Sequence, residues 1–383
     1  MFDKSKAKKI IISCSSSLSL IHFRGELIQE LIKNHQVIVF TPQITEQKTR
    51  SQLFKMGVKV YEHELKGNSV SVLADLKYIL KLIKVIKFEK PDIFFSYTFK
   101  PVIYGSIVAS LCRVKGITAM LSGLGYTFMD DDSRNTLVKK ITRNLLKFSL
   151  KFNKKINIIF QNSDDCEKLI NDGIIDQNNQ TYIVNGSGVD LSHYEFSKPV
   201  QNSISFLMIA RLINAKGIED YYKAAQIIRS KYPEVRFKLV GPYRSDSIDS
   251  IDENLYSKIK SGETIDYYGN TLDVRPFIRE SSVVVLPSFY GEGVPRCILE
   301  AMAMGRAIIT TNSSGCKPTV NTSPNMSNGF LIPMRDVSAL VSKMEYYINH
   351  PNDIIEYGMN GRKLAEEKFD VHKVNKQMLE ILS

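Results

Sequence analysis

The amino-acid sequence predicts an α/β protein made of two doubly wound parallel sheets, and three observations carry that expectation. Apolar runs such as Ile10–Ile12, Ile93–Phe95 and Val283–Leu286 show no polar alternation, as in strands covered on both faces. They alternate with segments of helical periodicity, the order of parallel strand–helix–strand units. The alternation restarts beyond a polar stretch, residues 197–203 with Pro199, in a chain whose 383 residues suit two domains better than one. The expected division is a first domain over residues 1–197, a second over 204–365, and a terminal helical segment, 366–383, that could pack back on the first.

In chain order, Lys8–Ser13 reads as the first strand and Ser15–Ser19 as a loop of small residues. Phe23, Leu27, Leu31 and Ile32 recur with helical spacing and mark a helix over His22–Lys33. Strands follow at Val37–Phe40 and Val58–Tyr61, and Val72–Lys87 is a long helix with Leu73, Leu76, Leu80, Ile83 and Ile86 on one face. Asp92–Phe95 is a strand and Pro101–Leu111 a helix opened by its proline. Asp130–Asp132 reads as capping charge ahead of a basic amphipathic helix over Leu137–Lys155, with strands at Ile156–Phe160 and Tyr182–Val184 beyond it. In the second half, strands are expected at Ile204–Ile209, Val235–Val240, Thr264–Tyr268, Ser282–Leu286 and Ala307–Thr311. Helices are expected there at Gly217–Ser230, Ser247–Lys260, Asp336–Asn349, Asp353–Phe369 and Val371–Leu382.

Composition narrows the class. With 43% hydrophobic and 24% charged residues the chain is ordinary for a soluble globular protein. Its five scattered cysteines have no metal-ligand spacing and imply a reducing compartment rather than a disulfide framework. The charged start and the short Ile10–Ile12 run do not make a signal peptide, and no stretch approaches the roughly 18 apolar residues of a spanning helix. A cytoplasmic protein is expected. Residues 1–197 hold 28 Lys and Arg against 19 Asp and Glu, whereas residues 198–383 hold 23 against 21. The basic first half calls for an anionic partner, and charge alone does not choose among nucleic acid, a membrane surface and a phosphorylated substrate.

Chemistry concentrates in residues 286–305. Glu292 and Glu300 lie eight positions apart, after the strand Val283–Leu286, around Gly291, Gly293 and Pro295. Strand, tight loop and helix present backbone N–H groups and a positive helix end to an anion. A carboxylate on each side could grip hydroxyls, which suits a sugar–diphosphate–nucleoside. A second candidate is Ala210–Gly217, which ends the second half's first strand with Arg211 and Lys216. A guanidinium can bind phosphate bidentately and an ammonium acts as a point charge. The glycine spacing of a P-loop is missing there. Two doubly wound halves further imply a cleft at the carboxyl ends of their strands.

The Glu-x7-Glu pair, with Arg211 and Lys216-Gly217 upstream, resembles the retaining nucleotide-sugar glycosyltransferases of family four, which have the GT-B fold. Val284–Ser288, Glu292–Arg296, Leu299–Arg306, Gly315-Cys316 and Asn328–Pro333 fit the same pattern. So do His22–Arg24, Gly123–Phe128 and Gly188–Asp190 in the first half. The resemblance implies that Glu292 contacts the donor sugar with the backbone of Gly293 and Val294. It further implies that Glu300 binds the ribose hydroxyls, that Arg211 and Lys216 hold the diphosphate, and that neither metal nor other cofactor is required. Such a transfer needs stabilisation of the departing diphosphate, which fixed cations and helix N–H groups provide. An acidic residue near the anomeric carbon supports oxocarbenium character.

Two features depart from the family. Many members place a Gly-Gly pair in the first loop, where this chain has Ser15, Ser16 and Ser17, whose N–H and hydroxyl groups would face the diphosphate. Many carry a histidine before the helix at Pro101, where this chain has Tyr97–Lys100 and so no such base. Lys100 is a candidate for an acceptor phosphate, and His22 a further candidate on the acceptor side. The resemblance is nearest to bacterial enzymes that elongate undecaprenyl-diphosphate-linked glycans. It implies a UDP-sugar donor giving a hexose or N-acetylhexosamine, a lipid-linked saccharide acceptor, and a peripheral place on the inner face of the cell membrane. The basic amphipathic segment Leu137–Lys155 suits an anionic membrane surface. No nucleic-acid module accompanies the basic residues, so nucleic acid is not an expected partner. The competing readings are a nucleotide-sugar epimerase on the same fold and a non-catalytic nucleotide-sugar-binding subunit of a membrane glycan assembly complex.

Overall fold

The computed structural model describes residues 7–65, 71–129, 136–200, 203–247 and 249–382. The Asp130–Asp132 cap and residues 201–202 of the expected inter-domain stretch lie outside them. The chain forms two compact units, one of residues 1–187 with 373–383 and one of residues 188–372.

The first unit holds a seven-stranded parallel sheet in the order β3-β2-β1-β4-β5-β6-β7. Its strands are β1 (Lys9–Ser13), β2 (Gln36–Pro42), β3 (Lys59–His63), β4 (Ile93–Tyr97), β5 (Gly116–Leu121), β6 (Asn157–Phe160) and β7 (Gln180–Ile183). Every residue of β4 is buried, the consequence of helices on both faces. One face packs against α1 (Ser17–Ile32), α2 (Gln47–Lys55) and the C-terminal segment, whose Val374, Met378 and Leu382 share a core with Ile10, Ile12 and Phe95. The other face packs against α3 (Val72–Glu89), α4 (Ser106–Leu111), α5 (Thr136–Phe152) and α6 (Ser163–Asn171).

The second unit holds a six-stranded parallel sheet in the order β10-β9-β8-β11-β12-β13. Its strands are β8 (Ser205–Ile209), β9 (Arg236–Val240), β10 (Asp266–Tyr267), β11 (Val283–Leu286), β12 (Ala307–Thr311) and β13 (Gly329–Ile332). The helices are α7 (Ile218–Lys231), α8 (Glu253–Lys260), α9 (Arg275–Arg279), α10 (Arg296–Ala303), α11 (Val337–Asn349) and α12 (Pro351–Leu364), with α13 (Val371–Ile381) closing the chain. Buried Arg306 fastens residues 188–200 to this unit by donating to the Ser197 carbonyl and hydroxyl, at 2.7 and 2.5 Å. In each sheet the strand order reverses beside the first strand of the unit, between β1 and β4 and between β8 and β11. Chains leaving the carboxyl ends of such neighbours diverge to opposite faces and leave a crevice.

Several elements differ from their sequence expectation for identifiable reasons. Strand β5 was not anticipated, because Gly116 and Thr118 break its apolar run. Helix α1 begins at Ser17 rather than His22, with extended Ser16 as its N-cap. The segment from Pro101 opens as a π-helical turn, Pro101–Gly105, before α4. Helix α8 starts only after Asp252, whose side chain accepts from Leu255 N–H at 2.9 Å. Helix α3 buries Tyr78, Leu82, Val85 and Ile86 and leaves Leu73, Leu76 and Leu80 exposed, so the first three positions of its expected apolar stripe face outward while Ile83 and Ile86 pack on the core.

Candidate functional site

In the second unit, the loops that leave β8 and β11 are stitched together. Phe289 N–H donates to the Ala215 carbonyl at 2.9 Å, and Ser288 Oγ lies 3.3 Å from the same oxygen. Gly217 permits this approach: its φ is +77°, and a Cβ there would strike the Pro287 carbonyl. From the other side the buried Asp249 carboxylate accepts from Ala215 N–H at 2.8 Å and fixes the turn that carries Lys216.

This stitching joins two residues that lie 76 positions apart in sequence. Lys216 Nζ lies 2.5 Å from Glu292 Oε2, and Ser288 Oγ donates to Glu292 Oε1 at 2.7 Å. Burial disfavours the lysine's ammonium, yet the Glu292 carboxylate outweighs it and raises the Lys216 pKa above the ordinary value. An ammonium has three donors, and Glu292 takes one of them. Arg211 is exposed at the end of β8 and lies outside this hydrogen-bonded cluster.

Behind Glu292, Thr311 donates to the Ser288 carbonyl. Gly315 lies so close to Gly293 that a Cβ would meet the Gly293 carbonyl. The buried Gly293–Val294 backbone is thereby held at the amino end of α10. Glu300, one turn into α10, is buried and accepts from Arg296 Nε and from Tyr194 OH, both at 2.8 Å. Burial raises its pKa, opposed by Arg296 and Tyr194. A ligand hydroxyl arriving at Glu300 would join a carboxylate already oriented by these two groups.

In the first unit the serine loop leaves β1 and is tied to the chain leaving β4. Ser15 N–H donates to Thr98 Oγ1 at 3.2 Å, and the two hydroxyls lie 2.7 Å apart. Thr98 adopts φ +70°, a left-handed conformation that a β-branched residue rarely takes. Ser16 is exposed as the N-cap, Ser17 is the first residue of α1, and His22 is exposed further along that helix. Lys100 pairs with Asp75 in the first turn of α3 at 2.6 Å, and Tyr104 OH donates to the other Asp75 oxygen at 2.8 Å.

Ser288, Asp249, Thr98 and Asp75 were not singled out from sequence. Ser288 had a local signal, four positions before Glu292 in the same turn. The others act through contacts between distant segments. Among the described residues no three His, Cys, Asp or Glu side chains are grouped as metal ligands, and no helix is long and apolar enough to cross a membrane.

Comparison with known proteins agrees with this fold. A family model described as "Glycosyl transferases group 1" matches residues 203–350, and one described as "Glycosyl transferase 4-like" matches residues 12–162. The N,N'-diacetylbacillosaminyl-diphospho-undecaprenol alpha-1,3-N-acetylgalactosaminyltransferase of Campylobacter jejuni is 28% identical, over 79% of this chain and 80% of that protein. The UDP-Gal:alpha-D-GlcNAc-diphosphoundecaprenol alpha-1,3-galactosyltransferase of Escherichia coli is 26% identical, over 72% of this chain and 71% of that protein. The crystal structure of Anabaena Alr3699/HepE in complex with UDP-glucose superposes with a TM-score of 0.76 at 18% identity, over 98% of this chain and 99% of the other. Two parallel sheets with reversed strand order, and consecutive family matches over most of the sequence, place this chain among the group 1 glycosyltransferases, enzymes of the GT-B fold.

Proposed function

We propose that the protein transfers a hexose or N-acetylhexosamine, with retention, from a UDP-sugar to a hydroxyl of a lipid-diphosphate-linked saccharide in bacterial surface polysaccharide or glycoprotein glycan assembly. The observation that carries this reading is the Glu292 carboxylate, held by Lys216 and Ser288 at the strand-order reversal of the second sheet. The relatives named above, whose printed names specify diphospho-undecaprenol acceptors and in one case a UDP-sugar, support it.

In this reading residues 204–365 bind the donor and residues 1–197 the acceptor. Lys216 and Arg211 neutralise the diphosphate, the Gly293–Val294 backbone at the start of α10 receives developing negative charge, and Glu300 takes the ribose hydroxyls. The bond from the anomeric carbon to the phosphate oxygen breaks as the bond to the acceptor oxygen forms on the same face. The acceptor's proton passes to the departing diphosphate, which fits the lack of a histidine between Tyr97 and Lys100. Glu292 lies against the sugar. Lys100 and His22 serve the acceptor, the N–H and hydroxyl groups of the serine loop serve the diphosphate, and the basic first unit keeps the enzyme on the inner membrane surface.

The test is sugar transfer by Glu292→Ala and Lys216→Met with a panel of UDP- and GDP-sugars. Each variant is expected to lose at least a hundredfold in kcat/KM, about 2.7 kcal/mol of transition-state stabilisation. Transfer by Glu292→Ala at the wild-type rate would remove the site assignment.

A further inference from the structure

The outer face of the α3–α4–α5 layer departs from an ordinary protein surface. Eleven of the twenty-two exposed large apolar residues among those described lie on these three helices. On α3, Leu73, Leu76 and Leu80 are exposed, Leu73 to 74%, while Tyr78, Leu82 and Val85 fill the core. On α5, Ile141, Phe148 and Phe152 form one exposed stripe at helical spacing, opposite the buried Leu146 and Leu150. Helix α4 packs between the two, and Leu111 at its end is exposed as well. The stripes belong to one layer of three helices, α3, α4 and α5, on the same side of one sheet.

Charge on this face is predominantly basic, with Glu64 paired to Lys77 at its edge. Exposed Lys77, Lys81, Lys84 and Lys87 line α3, and its two acids are turned elsewhere, Asp75 to Lys100 and Glu89 to Lys9 and Lys59. Helix α5 carries Lys139, Lys140, Arg143, Lys147 and Lys151 and no acidic residue. Leucine and phenylalanine flanked by lysine is the pattern of helices that lie in a bilayer interface, with apolar groups among the acyl chains and ammonium groups at anionic headgroups. A second copy of the chain fits this face poorly, because a two-fold interface would set these cations against themselves. Asp75, in the first turn of α3, also holds Lys100, so the face begins beside the proposed acceptor lysine.

We infer that the outer faces of α3 and α5 together form a bilayer-docking platform, with Leu73, Leu76, Ile141 and Phe148 inserting into an anionic phospholipid surface. The inference rests on the membrane-linked acceptor proposed above and goes beyond it by assigning the contact to these two helices. Docking by this face would bring a lipid-anchored acceptor to the end of α3 where Lys100 lies.

The experiment uses vesicles of phosphatidylethanolamine and phosphatidylglycerol in equal parts, with pure phosphatidylcholine vesicles as control. The full chain is compared with a Leu73→Gln, Leu76→Gln, Ile141→Gln, Phe148→Gln variant, a Lys81→Glu, Lys84→Glu, Lys147→Glu, Lys151→Glu variant, and a Phe54→Gln variant. Phe54 is an exposed apolar residue on α2, across the sheet. The wild type and Phe54→Gln are expected to float with the anionic vesicles and not with the control. Each quadruple variant is expected to bind at least tenfold more weakly, with thermal midpoint and transfer to a water-soluble short-chain acceptor unchanged. Equal vesicle binding by wild type and the apolar variant overturns the inference, as does a wild type that ignores anionic vesicles. A wild-type dimer that the apolar variant reduces to monomer, without vesicle binding, would assign the face to self-association instead. Failure of the wild type to transfer sugar to the soluble acceptor would strike the proposed function and leave the vesicle result standing.

Discussion

His63 shows how one buried side chain conditions the first unit. Its Nδ1 accepts from Leu65 N–H at 3.1 Å, so the proton sits on Nε2, which donates to the Cys14 carbonyl at 3.2 Å, one residue before the serine loop. Burial lowers its pKa from 6.5 to about 4, because a second proton would sit in an apolar pocket against Phe40 and Tyr78. The unfolded chain binds that proton at higher pH than the folded one. The contribution is therefore complete above pH 6.5 and is lost progressively as pH falls toward 4, at about 3 kcal/mol in all. Denaturant unfolding across that interval is expected to show the slope in the wild type and a flattened slope in His63→Gln; equal slopes would exclude it. Lys216 and Glu292 were visible in sequence because residue type and position at strand ends are local properties. Thr98 and Asp249 were not, because each acts on a segment reached only through the fold.

At the scale of elements, the loops after β8 and β11 behave as one piece, and Gly217 is the residue on which they close. In Gly217→Ala the new methyl would combine a left-handed φ with a collision against the Pro287 carbonyl, and the backbone would have to shift. A loss of about 2 kcal/mol or more in the stability of the second unit is expected, together with weaker UDP binding, because Lys216 is the preceding residue. Unchanged stability in denaturant titration would show that the loops give way without cost. Helix α3 teaches a related lesson about periodicity. It is apolar on two faces, Leu73–Leu76–Leu80 and Tyr78–Leu82–Val85, and spacing alone does not say which is turned inward. The core selects the face that carries Tyr78, whose hydroxyl lies 2.8 Å from Ser13 Oγ.

At the scale of the molecule, the two units are to respond differently to donor. A ligand that binds only the folded state stabilises it by about 2.7 kcal/mol at a hundredfold excess over its Kd. UDP is expected to raise the unfolding midpoint of residues 188–372 and to protect amides in 210–217 and 286–303 from hydrogen exchange. Lys216→Met is expected to abolish both effects. Protection confined to residues 7–65 would place the nucleotide in the other unit and reverse the donor and acceptor assignments.

Fold class, the alternation of strands and helices, and the charged residues at strand ends were legible in the linear chain. Each depends on short-range patterning: unbroken apolar runs for strands buried on both faces, helical spacing between them, and glycine or proline at the turns. Three things depended on contacts between segments far apart in sequence. One is the ion pair of Lys216 with Glu292, made by a glycine that lets two loops touch. Another is where the terminal segment divides: the sequence raised its return to the first domain from residue 366, and packing of Val374, Met378 and Leu382 on the first sheet's core sets that return at residue 373. The third is the choice between the two apolar faces of α3. Each turns on which surfaces the packed sheets leave room to bury, a property of the assembled core rather than of any window of sequence.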